Sequence, residues 1–126
     1  MKRTDLYDKL LQFMYDEYDR KQGFHGYGER VRVLIARFER LSAKNRIGNA
    51  NAKSGAIRYL HENGWIDIRD TNGNKLSGLA AFSYGRMQPT PKGREYLEQR
   101  RTRGVMKVAG NIVELCGRLA KGLHGR

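Results

Sequence analysis

KSGAIRYLHENGWIDIRDTNGNKLSG, residues 53–78, changes pattern twice within one short stretch. Its first part has a helical period: Ala52, Ala56, Ile57 and Leu60 recur on one face, and Asn49 or Asn51 stands where a capping side chain is needed. Asn51, Ser54, Arg58 and His61 fall on the other face, and Asn63-Gly64 offers the left-handed residue that stops a helix. Trp65 to Arg69 then reads as a strand, Thr71-Asn72-Gly73-Asn74 as a tight turn of the primed type, and part of Lys75 to Met87 as the returning strand.

Beyond the hairpin, Pro89 interrupts the strand, and Thr90-Pro91 places a capping hydroxyl before a proline at the first helical position. A helix is expected from there through Tyr96 and Leu97 toward Arg101. Past Gly104, residues 105–123 form a further helical pattern, with Val105, Val108, Ala109, Ile112, Cys116, Leu119 and Leu123 on one stripe. Before the quoted stretch, residues 4–21 place Leu6, Leu10, Met14 and Tyr18 four apart, with Thr4 as a cap. Residues 29–41 place Val31, Leu34, Ile35 and Phe38 on one face. Either of these two helices can be the first of a three-helix core. The spacing divides the chain into a domain over 1–104 and a basic amphipathic helix over 105–126.

Charge narrows the class of partner. The 126 residues carry 25 Lys and Arg against 13 Asp and Glu, a net charge of +12. Residues 1–28 are balanced, five against five, so the excess lies beyond residue 28. Such a potential concentrates a protein near phosphate polymers or anionic membrane surfaces. Hydrophobic residues make up 39% of the chain, and the aromatics sit inside periodic segments, so the basic excess belongs to a folded domain and not to a disordered tail. A single cysteine, Cys116, and an N-terminus without an apolar run imply a cytoplasmic protein with no transmembrane segment. No repeat or low-complexity tract is visible.

The order helix, helix, helix, hairpin, helix, with "HENGWIDI" closing the third helix and "TPKGREYLEQ" opening the last, resembles the winged helix-turn-helix superfamily over about residues 4–100. Within it, the short N-terminus and the basic helix at the end are similar to small bacterial and phage-associated proteins of the YjcQ-like kind. "AKNRIGNANAKSGAIRYLHENGWI" followed by "TPKGREYL" also resembles the S19e family of small-subunit ribosomal proteins, without a match in the N-terminal half. These resemblances imply an α+β fold, a three-helix core with a β-hairpin wing and additional C-terminal helices, and a partner that is DNA or RNA.

The candidate contacts form three groups. On the outer face of the third helix, Arg58 can make a bidentate bond to guanine or a phosphate and Asn51 can pair with adenine, with Lys53 and Ser54 beside them and Gly55 allowing close approach. Arg58 as a solvated surface charge and Asn51 as a cap are the plain alternatives. On the hairpin, Arg69, Lys75 and Arg86 suit phosphates, or serve only to keep the hairpin soluble. In the run "QRRTRG", Arg100, Arg101 and Arg103 can lie along a backbone or simply cover a solvated helix end. Tyr7, Phe13, Tyr15 and Tyr18 are expected in the core and not as a base-stacking platform.

Nothing points to catalysis. His25, His61 and His124 are isolated, Cys116 sits on an apolar stripe, and no metal-ligand spacing, phosphate-binding glycine loop or nucleophile motif occurs, so neither metal nor cofactor is expected. The sequence therefore predicts a double-stranded-DNA-binding winged-helix protein, a transcriptional regulator or phage-type accessory factor. RNA binding, or a winged helix used only to bind an acidic protein, remain alternatives. The stripe over 105–123 lacks the aromatic anchors of a membrane-surface helix and is expected to pair with a second copy in a homodimer.

Overall fold

The computed structural model describes residues 3–20 and 28–102. It is an α+β structure, and contacts divide the chain into two compact units, Met1–Arg94 and Glu95–Arg126. Helix α1 (Arg3–Arg20) buries Leu6, Leu10 and Met14 of the side chains its four-residue spacing singles out, leaves the fourth, Tyr18, half-buried, and also buries Asp8, Leu11 and Tyr15. It already includes Thr4, so that residue is not the cap expected of it. Helix α2 (Val31–Leu41) buries Val31, Leu34, Ile35 and Phe38, the expected stripe. A single 3-10 turn, Ala43–Asn45, leads to α3 (Ala50–Glu62), which buries Ala56, Ile57 and Leu60. Of the aromatics of α1 expected in the core, Tyr15 is buried, while Tyr7, Phe13 and Tyr18 are half-buried; the Phe13 ring lies 5.6 Å from Phe38, and Tyr7 lies 5.1 Å from Tyr59 of α3.

Asn49 is the residue that caps α3, its side chain accepting from Ala52 N at 3.0 Å. At the other end Gly64 takes φ 75°. Its N–H reaches the His61 carbonyl at 2.9 Å while that of Trp65 reaches the Leu60 carbonyl at 3.1 Å, the paired bonds that let a chain leave a helix sharply. That exit aims the chain into strand β1 (Ile66–Arg69), whose Ile66 and Ile68 turn inward.

The returning strand occupies only the far end of the stretch expected to hold it and runs on through Pro89, which was expected to interrupt it. Asp70 builds the turn, its carboxylate accepting from Asn72 N and Asn74 N, each at 2.9 Å, with Gly73 at φ 84°. The chain does fold back: Lys75 bridges Arg69, and Leu76 N reaches the Ile68 carbonyl at 2.9 Å. It then leaves the ladder for a short helix, α4 (Gly78–Tyr84), packed against α2 and α3 through Ala81. Strand β2 (Arg86–Pro89) follows and pairs antiparallel with the opposite edge of β1, Ile68 facing Met87 and Arg69 facing Arg86. On its other edge β2 meets the residues leading into α2: Met87 N bonds the Glu29 carbonyl at 2.9 Å, Val31 N bonds the Gly85 carbonyl at 3.0 Å, and Arg30 bridges Arg86. Residues 29 and 30 thus lie between α1 and α2 in sequence and beside β2 in space.

The motif "TPKG" has a tertiary role as well as a helical one. Residues 91–102 are helical, and Thr90 Oγ1 caps them by accepting from Gly93 N at 2.9 Å while donating to the Gly64 carbonyl at 2.7 Å. The buried Tyr15 hydroxyl joins the same point, donating to the Trp65 carbonyl at 2.5 Å and accepting from Thr90 N at 2.9 Å. Gly93 is required there because a Cβ would stand 2.0 Å from the Trp65 carbonyl oxygen. The helix expected over 105–123, the dimer contact assigned to it, and Arg103 lie outside the described residues.

Candidate nucleic-acid interface

The outer face of α3 opposes its buried stripe. Asn51 and Arg58 are exposed and Ser54 is half-buried. Among the described residues neither the Asn51 side chain nor the Arg58 guanidinium has a bonding partner, so the donors that base edges or phosphates would take are not committed to the fold. The exposed Glu62 follows Arg58 by one helical turn and is the only carboxylate of α3. Gly55 has open space where a side chain would be.

Lys53 belongs elsewhere. It is half-buried and in line with the stripe, three and four residues before Ala56 and Ile57, with its ammonium 3.4 Å from Glu39 of α2. Glu39 organises the turn between α2 and α3: its carboxylate accepts from Ile47 N at 2.8 Å and from Gly48 N at 3.3 Å. Burial pushes this carboxyl upward, but the two amides and the Lys53 ammonium outweigh it and hold the group below the ordinary glutamate range. Asn45, buried, fixes the same turn by donating to the Phe38 carbonyl at 2.9 Å. The result is an open depression of about 400 Å³ lined by Ala36, Glu39, Arg40, Ala43, Arg46, Gly48 and Lys53. Arg40 and Arg46 of this lining are exposed, as is Lys44 in the 3-10 turn. Sequence reasoning passed over these three; the signal was the run RFERLSAKNR, basic at four positions over 37–46 just ahead of the third helix.

The sheet gathers the remaining candidates into a line. Arg30 bridges Arg86, Arg86 pairs with Arg69, and Arg69 bridges Lys75, so four cations lie side by side across four backbone segments. Directly paired residues of antiparallel strands share a face. Ile68 and Met87 fill the core, which puts the row on the solvent face. Only the middle of the row is engaged. Arg69 Nε donates to Asp67 at 2.6 Å and its Nη1 to the Gly73 carbonyl at 2.6 Å, while Arg86 Nη1 donates to the Gly28 carbonyl at 3.1 Å. Arg30 and Lys75, at the two ends, are exposed and their side chains have no partner among the described residues. Arg69 and Arg86 therefore brace loops as well as carrying charge. Arg30 was missed because its place beside the hairpin comes from a bridge 56 residues along the chain.

Arg100 and Arg101 belong to the second unit. Both are exposed, Arg101 pairs with Glu98 one turn earlier, and Arg100 is also engaged, so this run includes charges already answered by the fold.

With this geometry in view, the chain was compared with known proteins. It matches no protein-family model, no curated protein and no solved structure. Among the described residues no group of three or more His, Cys, Asp or Glu gathers as metal ligands, and no helix is long and apolar enough to cross a membrane.

Proposed function

We propose that the chain is a winged helix-turn-helix domain that binds double-stranded DNA, with α3 as its recognition helix. Supporting the fold is the order α1, bridge at 29–31, α2, α3, β1, β2, with α1 as the first core helix and α4 as an addition to the wing between the strands. The observation that carries the function is the pair Asn51 and Arg58: two side chains of the types that read bases, exposed and without partners among the described residues, on the face opposite Ala56, Ile57 and Leu60. Arg40, Lys44 and Arg46, exposed in α2 and in the turn ahead of α3, supply cations that neutralise phosphates without reading sequence. Role follows from chemistry, as a transcriptional regulator or an accessory factor acting on DNA.

RNA and an acidic protein are the competing partners, and salt separates them. With about five phosphates neutralised on DNA, log affinity falls with log salt at a slope of roughly −4 to −5. Binding of the full chain to duplex DNA, to structured RNA and to an acidic protein at two salt concentrations tests this. DNA preference with that slope is expected; equal or tighter binding to RNA, or a slope near zero, overturns the reading.

A further inference from the structure

We infer that Asn72, in the turn after β1, is a site of spontaneous deamidation through a cyclic imide, and that the fold holds the same dipeptide at Asn63 back from this reaction. The chain carries Asn-Gly at 63–64 and at 72–73. In such a pair the glycine amide nitrogen attacks the Asn side-chain carbonyl carbon, and glycine brings no Cβ to obstruct the ring. The bond from nitrogen to Cγ forms, the Cγ–Nδ2 bond breaks, and Nδ2 leaves as ammonia with the proton the backbone amide gives up. Water then opens the imide at one of its two carbonyls, leaving either aspartate or isoaspartate. Nothing is oxidised or reduced, and water is the only co-reactant.

The two sites differ in what restrains them. Asn63 is half-buried at the end of α3, its Nδ2 donating to the Tyr59 carbonyl at 2.8 Å. Gly64 is tied at both ends, its N–H to the His61 carbonyl at 2.9 Å and its own carbonyl to Thr90 Oγ1 at 2.7 Å. Asn72 is exposed, and its side-chain amide has no partner among the described residues. Gly73 N donates to the Asp70 carbonyl at 3.1 Å, a bond within an exposed turn, and no heavy atom lies within 4 Å of where a Gly73 Cβ would stand. Charge helps as well: Arg69 Nη1 donates to the Gly73 carbonyl at 2.6 Å, so a guanidinium stands beside the amide that must lose its proton and the oxyanion that follows. The Asp70 carboxylate opposes this, but it is already taken up by Asn72 N, Asn74 N and Asn74 Nδ2. Isoaspartate would insert a methylene into the main chain between the two N–H groups that Asp70 Oδ1 receives together, so the product cannot keep the turn as it is.

The test keeps the full chain at mildly alkaline pH, digests samples with trypsin over time and follows the peptides by mass spectrometry. Cleavage after Arg58, Arg69 and Lys75 places the two sites on separate peptides, 59–69 and 70–75. Peptide 70–75 is expected to gain acid forms, isoaspartate among them, faster than 59–69 by about tenfold or more, because the Asn63 and Gly64 hydrogen bonds must open before that site reacts. Fragment ions place the change at Asn72 and not at Asn74. Incubation in guanidinium, which unfolds the chain, should bring the two rates together. Asn72→Gln, one methylene longer, keeps an amide in the turn and should stop the conversion of 70–75 without altering that of 59–69. Equal rates in the folded chain, faster conversion at Asn63, or a 70–75 peptide that stays unconverted overturn the inference, and so does conversion that persists in Asn72→Gln.

Discussion

Glu39→Gln probes the turn that presents α3, and its magnitude follows from three bonds. The carboxylate accepts from Ile47 N and Gly48 N and faces Lys53 at 3.4 Å. A glutamine oxygen can keep the shorter bond, but as a neutral acceptor. Hydrogen bonds to charged groups contribute about 1.5–3 kcal/mol and neutral ones about 0.5–1.5. The ion pair, with Lys53 30% exposed, adds only about 0–1 kcal/mol. The variant should lose about 1–2 kcal/mol, which for a domain of this size lowers Tm by roughly 4–8 °C. The pH dependence has a definite sign. Because the folded carboxyl is held below its ordinary value of 4.5, its contribution is complete above that value and is lost as pH falls through the folded one. The gap in Tm between parent and variant should therefore be widest at neutral pH and close in acid. Releasing Lys53 also adds a cation beside α3, steepening the salt slope of nucleic-acid binding by up to about one. Equal melting temperatures at neutral pH, or a gap that widens in acid, would refute the role given to Glu39.

Two further substitutions test the point where α1, β1 and the "TPKG" segment meet. Gly93→Ala gains about 1 kcal/mol of helix propensity, yet its Cβ would stand 2.0 Å from the Trp65 carbonyl oxygen and 2.1 Å from the Tyr15 hydroxyl. Net destabilisation of about 2 kcal/mol or more is expected from urea denaturation, and a neutral result would contradict the packing. Tyr15→Phe removes the hydroxyl shared by Trp65 and Thr90 and should lower the urea midpoint by the equivalent of about 1–3 kcal/mol with an unchanged m value. A midpoint equal to the parent's would show that the hydroxyl bonds contribute nothing.

Local signals carried much of this fold. The stripes of α1, α2 and α3 are legible because each helix buries one side in a common core, and Gly64 and Thr90 are legible because a left-handed exit and a cap need those residue types. The inserted helix α4 was not. Its seven residues, GLAAFSY, are too short to show a period, and Phe82 and Tyr84 favour a strand by propensity, so its helical state rests on packing against α2 and α3. The site divides in the same way. Asn51 and Arg58 follow from helical phase alone, whereas Lys53, assigned to the outer face, is drawn to Glu39, a partner 14 residues earlier. Of the cationic row, Arg69, Lys75 and Arg86 follow from the expected hairpin, whereas Arg30 joins them only through a bridge to Arg86.

The central claim is that α3 reads sequence, and the direct measurement is the affinity of Arg58→Ala for a site selected from random DNA and for scrambled DNA, beside Lys75→Ala. Arg58 is exposed and makes no bond in the described fold, so its truncation should leave thermal melting unchanged. Loss of one guanidinium fork should remove about 1–3 kcal/mol of affinity on the selected site and little on scrambled DNA, flattening the preference. Lys75→Ala should instead weaken both DNAs equally and lower the salt slope by about one. If Arg58→Ala binds the selected and the scrambled DNA as the parent does, α3 is not a recognition helix and the account of this surface is wrong.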